Sequence, residues 1–221
     1  MTDVLLMGDP RVAAVPVREG GDPLVDLRGT AIALDPRKAA ADGSYAHLRR
    51  DVVRRLERAQ TLLPGGLRLL VVEGHRPPAL QQHYFAEYRA GLAVLHPDWD
   101  DDRLDRAASR YVSPPAVAPH PAGAAVDLTL TTADGVELDM GTRVNADPEE
   151  SHGACYTDAP GLPARARAHR RTLADALTAV GLVNYPTEWW HWSHGDRYWA
   201  LATGAPAAVH GPVELPTRPG G

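Results

Sequence analysis

Apolar residues recur at helical spacing through Leu48, Val52, Leu56, Ala59 and Leu63, with Ser44 placed to cap the start and Pro64-Gly65-Gly66 to end the run. A helix is predicted there. Leu67 to Val72 is short, branched and apolar on both faces, the pattern of a buried strand, and it feeds the turn Gly74-His75-Arg76-Pro77-Pro78, so Arg76 stands at the strand's exit. Pro78 suits the first turn of a helix running to about Ala90, and Asp101 to Tyr111 predicts another. The prolines between Ser113 and Pro119 exclude a helix; beyond them Ala124 to Thr131 alternates, Ala133-Asp134-Gly135 turns, and Val136 to Met140 completes a predicted hairpin. Ala164 to Val180 is helical, with Leu173, Leu177 and Val180 on one face and Gly181 as C-cap. Glu188 to Ala202, rich in Trp and Tyr around His194-Gly195-Asp196, predicts a second hairpin.

The remaining segments carry less pattern. Residues 1 to 43 are punctuated by Gly, Pro and Asp, with short β-prone pieces such as Ala31 to Leu34, and read as a lead-in wrapping the core. Gly141 to Pro163 has no convincing periodicity, and a structureless stretch of that length inside a compact domain is usually functional or mobile; a cover over a site is one such role. Residues 1–203 are therefore expected to form a single domain, followed by a weakly ordered Gly/Pro-rich tail over 204–221, with no internal repeat.

Composition narrows the class. A chain of 221 residues, 44% hydrophobic and 23% charged, fits one mid-sized globular domain. No apolar run approaches the roughly 18 residues of a membrane helix, and the first ten residues lack a basic segment followed by an apolar core, so a cytoplasmic protein without a membrane partner is expected. The net charge of −5, with no basic cluster beyond ordinary helix faces, gives nucleic acid no footprint. A homo-oligomer is compatible with the sequence but not indicated by it. Cys155 is the only cysteine, which excludes a disulfide scaffold and a thiolate zinc ribbon; any metal must be held by His and carboxylates. Lys38 is the only lysine among 23 basic residues, a skew read as coding bias, so an arginine counts as functional only with local support.

Most isolated histidines are surface or satisfied core residues, and two segments stand apart from that expectation. In His120-Pro-Ala-Gly-Ala-Ala-Val-Asp127 the histidine precedes a strand and the carboxylate sits inside it, amid residues otherwise fit for burial, where it needs a cation or hydrogen bonds. A hydrogen-bonded structural Asp is the competing reading. In Glu188-Trp-Trp-His191 a carboxylate and an imidazole lie among closely spaced tryptophans, a setting that raises a carboxylate's pKa toward that of a general base, although the aromatics alone would also make a core. A regular strand would put Glu188 and His191 on opposite faces, so a bulge or a strand end must reunite them if they serve one centre. Three ligands of the His/Asp/His kind with an open fourth position match catalytic zinc better than structural zinc. Glu188 and Arg76 are then available as base and oxyanion partner.

Taken together, Glu73-Gly74-His75-Arg76-Pro77, His120 through Leu130, Glu137 through Thr142 and Asn184 through Trp192 resemble the zinc-dependent D-alanyl-D-alanine dipeptidases of the vancomycin-resistance type, over roughly residues 65 to 203. The resemblance implies an α+β fold, an antiparallel sheet with helices packed beside it, shared with D,D-carboxypeptidases and hedgehog-like domains. It implies zinc ligands His120, Asp127 and His191, with His194 as the nearest rival for the last. It also implies the catalytic base Glu188, and Arg76 as the group polarising the scissile carbonyl.

The chain departs from the family pattern on the substrate side. Ala118 stands where the family usually has Ser, Asn145 where many members have Asp, and the family's Asn-Phe-x-Gly continuation after Val25 to Arg28 is missing from Gly29 to Arg37. Those positions are associated in the family with the substrate's amino end, so altered recognition there is expected. The implied activity is zinc metallopeptidase hydrolysis of a small dipeptide amide. Two alternatives stand beside it: a same-fold zinc enzyme that cleaves or forms an amide or opens a ring in a biosynthetic intermediate, and a non-catalytic zinc-bearing module that binds peptidoglycan precursors. Glu188 argues against the last, since a binding module needs no general base.

Overall fold

The computed structural model describes residues 4–215. In chain order it forms α1 (Pro10–Ala14), β1 (Leu24–Asp26), β2 (Ala33–Leu34), β3 (His47–Arg49), α2 (Arg50–Leu62), β4 (Leu67–Glu73) and α3 (Pro78–Leu95). There follow α4 (Asp101–Ala108), β5 (Ala125–Thr132), α5 (Ala164–Thr178), β6 (Val183–Asn184), β7 (His191–Ser193) and α6 (Arg197–Thr203). The fold is α+β. Its main sheet has the order β2-β4-β5-β7-β6, antiparallel throughout except at one edge, where β2 runs parallel to β4; to that extent the expected all-antiparallel sheet is corrected. A second, two-stranded sheet pairs β1 with β3.

The two faces of β5 explain where the core and the site lie. Val126, Leu128 and Leu130 are fully buried in one cluster with Val52, Leu56 and Ala59 of α2, Leu69 and Val71 of β4, and Leu173 and Leu177 of α5. Asp127, Thr129 and Thr131 alternate with them and so project from the opposite face of the sheet. The sheet thus separates an apolar layer from a polar one, and Asp127 belongs to the polar side.

Three local expectations change. The helix predicted from Ser44 begins only at Arg50, because Ser44–Ala46 makes a single 3-10 turn and His47–Arg49 pairs with β1 before the helix starts. The run after the Ala133-Asp134-Gly135 turn forms no full strand; it touches β5 through a bridge between Thr131 and Glu137 and a bond from Leu138 N to Leu130 O (2.9 Å). The aromatic segment is a strand followed by a helix, not a hairpin, since Asp196 caps α6 by accepting from Tyr198 N (2.8 Å) and Trp199 N (3.1 Å).

The chain after α6 also differs from expectation. Ala208 N donates to Pro16 O (2.9 Å), Val213 N donates to Pro121 O (2.9 Å), and Ala208 and His210 are buried, so residues 205–213 are packed against the body. The rest of the expected tail, 216–221, lies outside the described residues. Among the described residues no helix is long and apolar enough to cross a membrane.

Candidate metal centre and its cavity

Strand register builds the site. Asp127 is the register partner of His191 on β7 and, past an irregularity in β4 between Val71 and Glu73, of Glu73 on the other side. Glu73, Asp127 and His191 therefore form one row across three adjacent strands, and directly opposed residues share a face. His194, three positions beyond His191, falls outside this row. Its Nδ1 donates to Gly181 O (2.9 Å) and its Nε2 faces Asp51 at 3.2 Å, away from the cluster.

His120 enters from a 3-10 turn just before β5. Its Nδ1 donates to the Gly74 carbonyl (2.7 Å), which leaves Nε2 as an acceptor 3.3 Å from Asp127 Oδ1. Gly74 itself is hemmed in by the 45–47 segment, where a Cβ would stand 2.5 Å from His47 O. His191 Nδ1 lies 3.0 Å from the same Asp127 Oδ1.

Glu188 and His191, which a continuous strand would separate, are reunited by a turn closed by a bond from His191 N to Glu188 O (3.2 Å), and Asn184 Nδ2 braces it on both carbonyls at 3.0 Å. Trp189 and Trp190 drive into the core while Glu188 Oε2 comes to 3.7 Å from His191 Nδ1. The 141–163 segment is held around this turn. Trp189 Nε1 donates to Thr142 Oγ1 (2.8 Å), Trp189 N donates to Cys155 O (3.1 Å), and the buried Arg170 guanidinium donates to Met140 O, Tyr156 O and Ala154 O.

The donor set fits zinc. His120, Asp127 and His191 are buried and each offers one ligand atom, all within 4.8 Å of one another. The 3.3 and 3.0 Å spacings to Asp127 approach the roughly 3.3 Å between two ligand atoms of a tetrahedral zinc with bonds of about 2.0–2.1 Å. His191 turns Nδ1 toward the cluster, where its hydrogen-bond partner is Asp127, itself a member of the donor set, while Nε2 on the other side of the ring is buried without a partner.

The electrostatics point the same way. Burial lowers the His191 pKa and favours the neutral ring that ligates a cation. Burial also works to raise the pKa of Asp127, but His120 and His191 outweigh it and hold the carboxyl well below the usual range. For Glu188, burial and then the Asp127 charge raise the pKa well above an ordinary carboxylate.

Arg76 is more tightly held than its sequence suggests. Its Nε and Nη2 donate to Glu73 Oε1 (2.6 Å) and Oε2 (2.8 Å), and Nη1 donates to Gln81 Oε1 (2.8 Å). Glu73 holds the guanidinium charged despite burial, and Arg76 in turn keeps Glu73 ionised.

A cavity of about 300 Å³ opens onto the cluster, and Arg76, His120, Asp127, Glu188, His191 and Asn145 all stand on its wall. Ala118 is buried and is not part of that wall; His75, beside Arg76, is buried with Nε2 on Val213 O (2.8 Å). Tyr84, Tyr88, Tyr111 and Lys38 share the lining with Glu87, Val112 and Ser113, and the sequence pattern marks none of them as site residues. Tyr84 and Tyr88 sit four apart on α3, a spacing that puts both on one face, but nothing in the periodicity says that this face meets a cavity.

The sequence pattern of the D-ala-D-ala dipeptidase family matches residues 40–203. A D-alanyl-D-alanine dipeptidase of Synechocystis sp. (strain ATCC 27184 / PCC 6803 / Kazusa) is 30% identical over 217 residues, covering 85% of this chain and 87% of that one. One of Escherichia coli (strain K12) is 29% identical over 156 residues, covering 70% and 69%. Among solved structures, the LdcB LD-carboxypeptidase aligns with a TM-score of 0.47 and 17% identity, over 87% of this chain and 77% of that one.

Proposed function

Because the chain belongs to the D-ala-D-ala dipeptidase family, we propose that it is a zinc metallopeptidase that hydrolyses a small dipeptide, with D-Ala-D-Ala as the first substrate to consider. The observation that carries this reading is the convergence of His120 Nε2, Asp127 Oδ1 and His191 Nδ1 on one buried point, with Glu188 Oε2 3.7 Å from His191 Nδ1. Those three residues would hold zinc, which when bound would supply a Lewis acid for the scissile carbonyl and bring the pKa of the attacking water to about 7.

The protein's own groups do the rest. Glu188, whose raised pKa suits it to exchange protons near neutrality, takes a proton from the attacking water and passes it to the leaving nitrogen. Arg76 offers its remaining N–H groups to the oxygen that gains charge, from a guanidinium already fixed by Glu73 and Gln81, so little reorganisation accompanies the reaction. A binding module would have no use for a carboxylate kept protonatable beside the metal ligands.

The test is a panel of D,D-, L,D- and L,L-dipeptides incubated with zinc-loaded protein, reading free amino acid release. Hydrolysis confined to a D,D-dipeptide is the expected result, and no release from any member would end the proposal. Weaker turnover of D-Ala-D-Ala than in members with an acidic residue at the Asn145 position is also expected, since Asn145 is on the cavity wall and a neutral amide binds an ammonium less well than a carboxylate does.

Arg76→Ala is expected to lower turnover by about 10² to 10³, the scale of one oxyanion donor. Geometry adds a second effect: the buried Glu73 loses its bidentate partner, and breaking a buried pair costs on the order of 3–5 kcal/mol. Denaturant unfolding of Arg76→Ala beside Glu73→Gln/Arg76→Met separates the two. The double variant should recover most of the stability but none of the rate; recovered rate would remove Arg76 from the oxyanion role.

A further inference from the structure

Around the cavity, cations are matched to acids with one exception. Arg76 is bound to Glu73 and Gln81, and Arg37, next in sequence to Lys38, pairs with Asp35 and Glu137 at 2.5 Å each. Lys38 lines the same cavity as His120, Asp127 and His191, is half-buried, and makes no ion pair or hydrogen bond among the described residues. Its Nζ stands over an aromatic ring, 5.3 Å from the Tyr84 centroid. Arg76 Cζ is 5.2 Å from the same centroid, so the two cationic groups stand no more than about 10.5 Å apart, a gap that a dipeptide of about 7 Å bridges with a hydrogen bond of about 3 Å at each end.

We infer that Lys38 is a specificity-determining residue that binds the free carboxylate of the substrate's leaving residue, and so restricts the enzyme to substrates ending one residue beyond the scissile bond. The inference rests on the dipeptidase reading above. If Arg76 meets the scissile carbonyl, the carboxylate of a dipeptide lies about 3.5 Å further along the chain. A half-buried ammonium with no acid of its own is the one group on the wall whose charge is free to meet it. The amino end of the substrate, itself cationic, is repelled from that side, so the same charge also sets the direction of binding. Lysine is a compact point charge with three rotatable donors, whereas arginine presents a planar fork, so the two are not equivalent at this position.

Kinetics with D-Ala-D-Ala and its C-terminal amide, on zinc-loaded wild type, Lys38→Met and Lys38→Arg, test this directly. Wild type should strongly prefer the free acid. Lys38→Met should raise KM for the acid by about tenfold or more, with kcat within about threefold, and leave the amide unaffected; Lys38→Arg should restore part of the loss. An unchanged KM in Lys38→Met, with wild type active, overturns the inference and leaves the dipeptidase reading standing.

The uniqueness of Lys38 supplies a readout independent of turnover. Reductive methylation with ¹³C-formaldehyde keeps the charge and labels one side-chain amine, leaving a single lysine dimethylamine resonance to follow. That resonance should shift saturably on addition of D-alanine and not on addition of D-alaninamide. A shift in a protein that cleaves no dipeptide would sink the dipeptidase reading and the specificity role with it, leaving only carboxylate binding by Lys38, while no shift with D-alanine counts against Lys38 whatever the activity.

Discussion

His120→Ala and His191→Ala are each expected to abolish zinc retention and bring dipeptide hydrolysis to background. Each variant removes one of three donors around a point that offers no replacement imidazole or thiolate: Cys155 is buried in the apolar cluster, and His194 is committed to Gly181 O and Asp51. Loss of an outer partner of a metal ligand already costs about 10- to 100-fold in affinity, so loss of a ligand itself must cost more. Asp127 then stays buried with one imidazole partner fewer and no cation, which destabilises the fold as well. Metal content after dialysis against a weak chelator, with unfolding midpoints in the presence and absence of zinc, reads both effects. Wild type should hold one zinc per chain and gain stability from it, and His194→Ala should do the same. Full zinc retention by either His120→Ala or His191→Ala would mean that the centre lies elsewhere.

Glu188→Gln should lower turnover by about 10² to 10⁴ while leaving zinc content unchanged, since the amide keeps the shape of the side chain but cannot accept the proton. The same substitution should stabilise the metal-free protein. Burial and the neighbouring Asp127 and Glu73 charges raise the Glu188 pKa above its ordinary value of 4.5, so ionising it in the folded state is unfavourable. A carboxyl with a raised folded pKa binds its proton more tightly in the native state, so its contribution to stability falls as pH rises from about 4.5 to the folded pKa and is constant beyond. The advantage of Glu188→Gln should grow across that window. Thermal unfolding of both metal-free proteins between pH 4 and 8 would show it, and an advantage independent of pH would mean that Glu188 is not held in the environment described.

Local sequence decided several elements without help. Leu69 and Val71 are apolar because that face of β4 lies in the core, while on the other face Arg68 is exposed and only Val72 is fully covered; Leu173 and Leu177 share a stripe because α5 packs on the sheet through it. The chemistry was also legible, because an acid inside an apolar strand and a carboxylate beside a histidine among tryptophans are costly unless something compensates them. What the sequence could not contain was register. Periodicity says which face of an element is buried, but not which residue of a distant strand stands opposite, and that is settled by non-local packing. Only the tertiary structure lines up Glu73, Asp127 and His191 across three strands, and only it ends the 188–191 segment in a turn that brings Glu188 back to His191. The cap that Asp196 gives α6, the early strand that delays α2 to Arg50, and the half-buried Lys38 on the cavity wall were hidden for the same reason. Each depends on which groups from elsewhere in the chain arrive beside it, and a one-dimensional pattern records the side chain but not its neighbours.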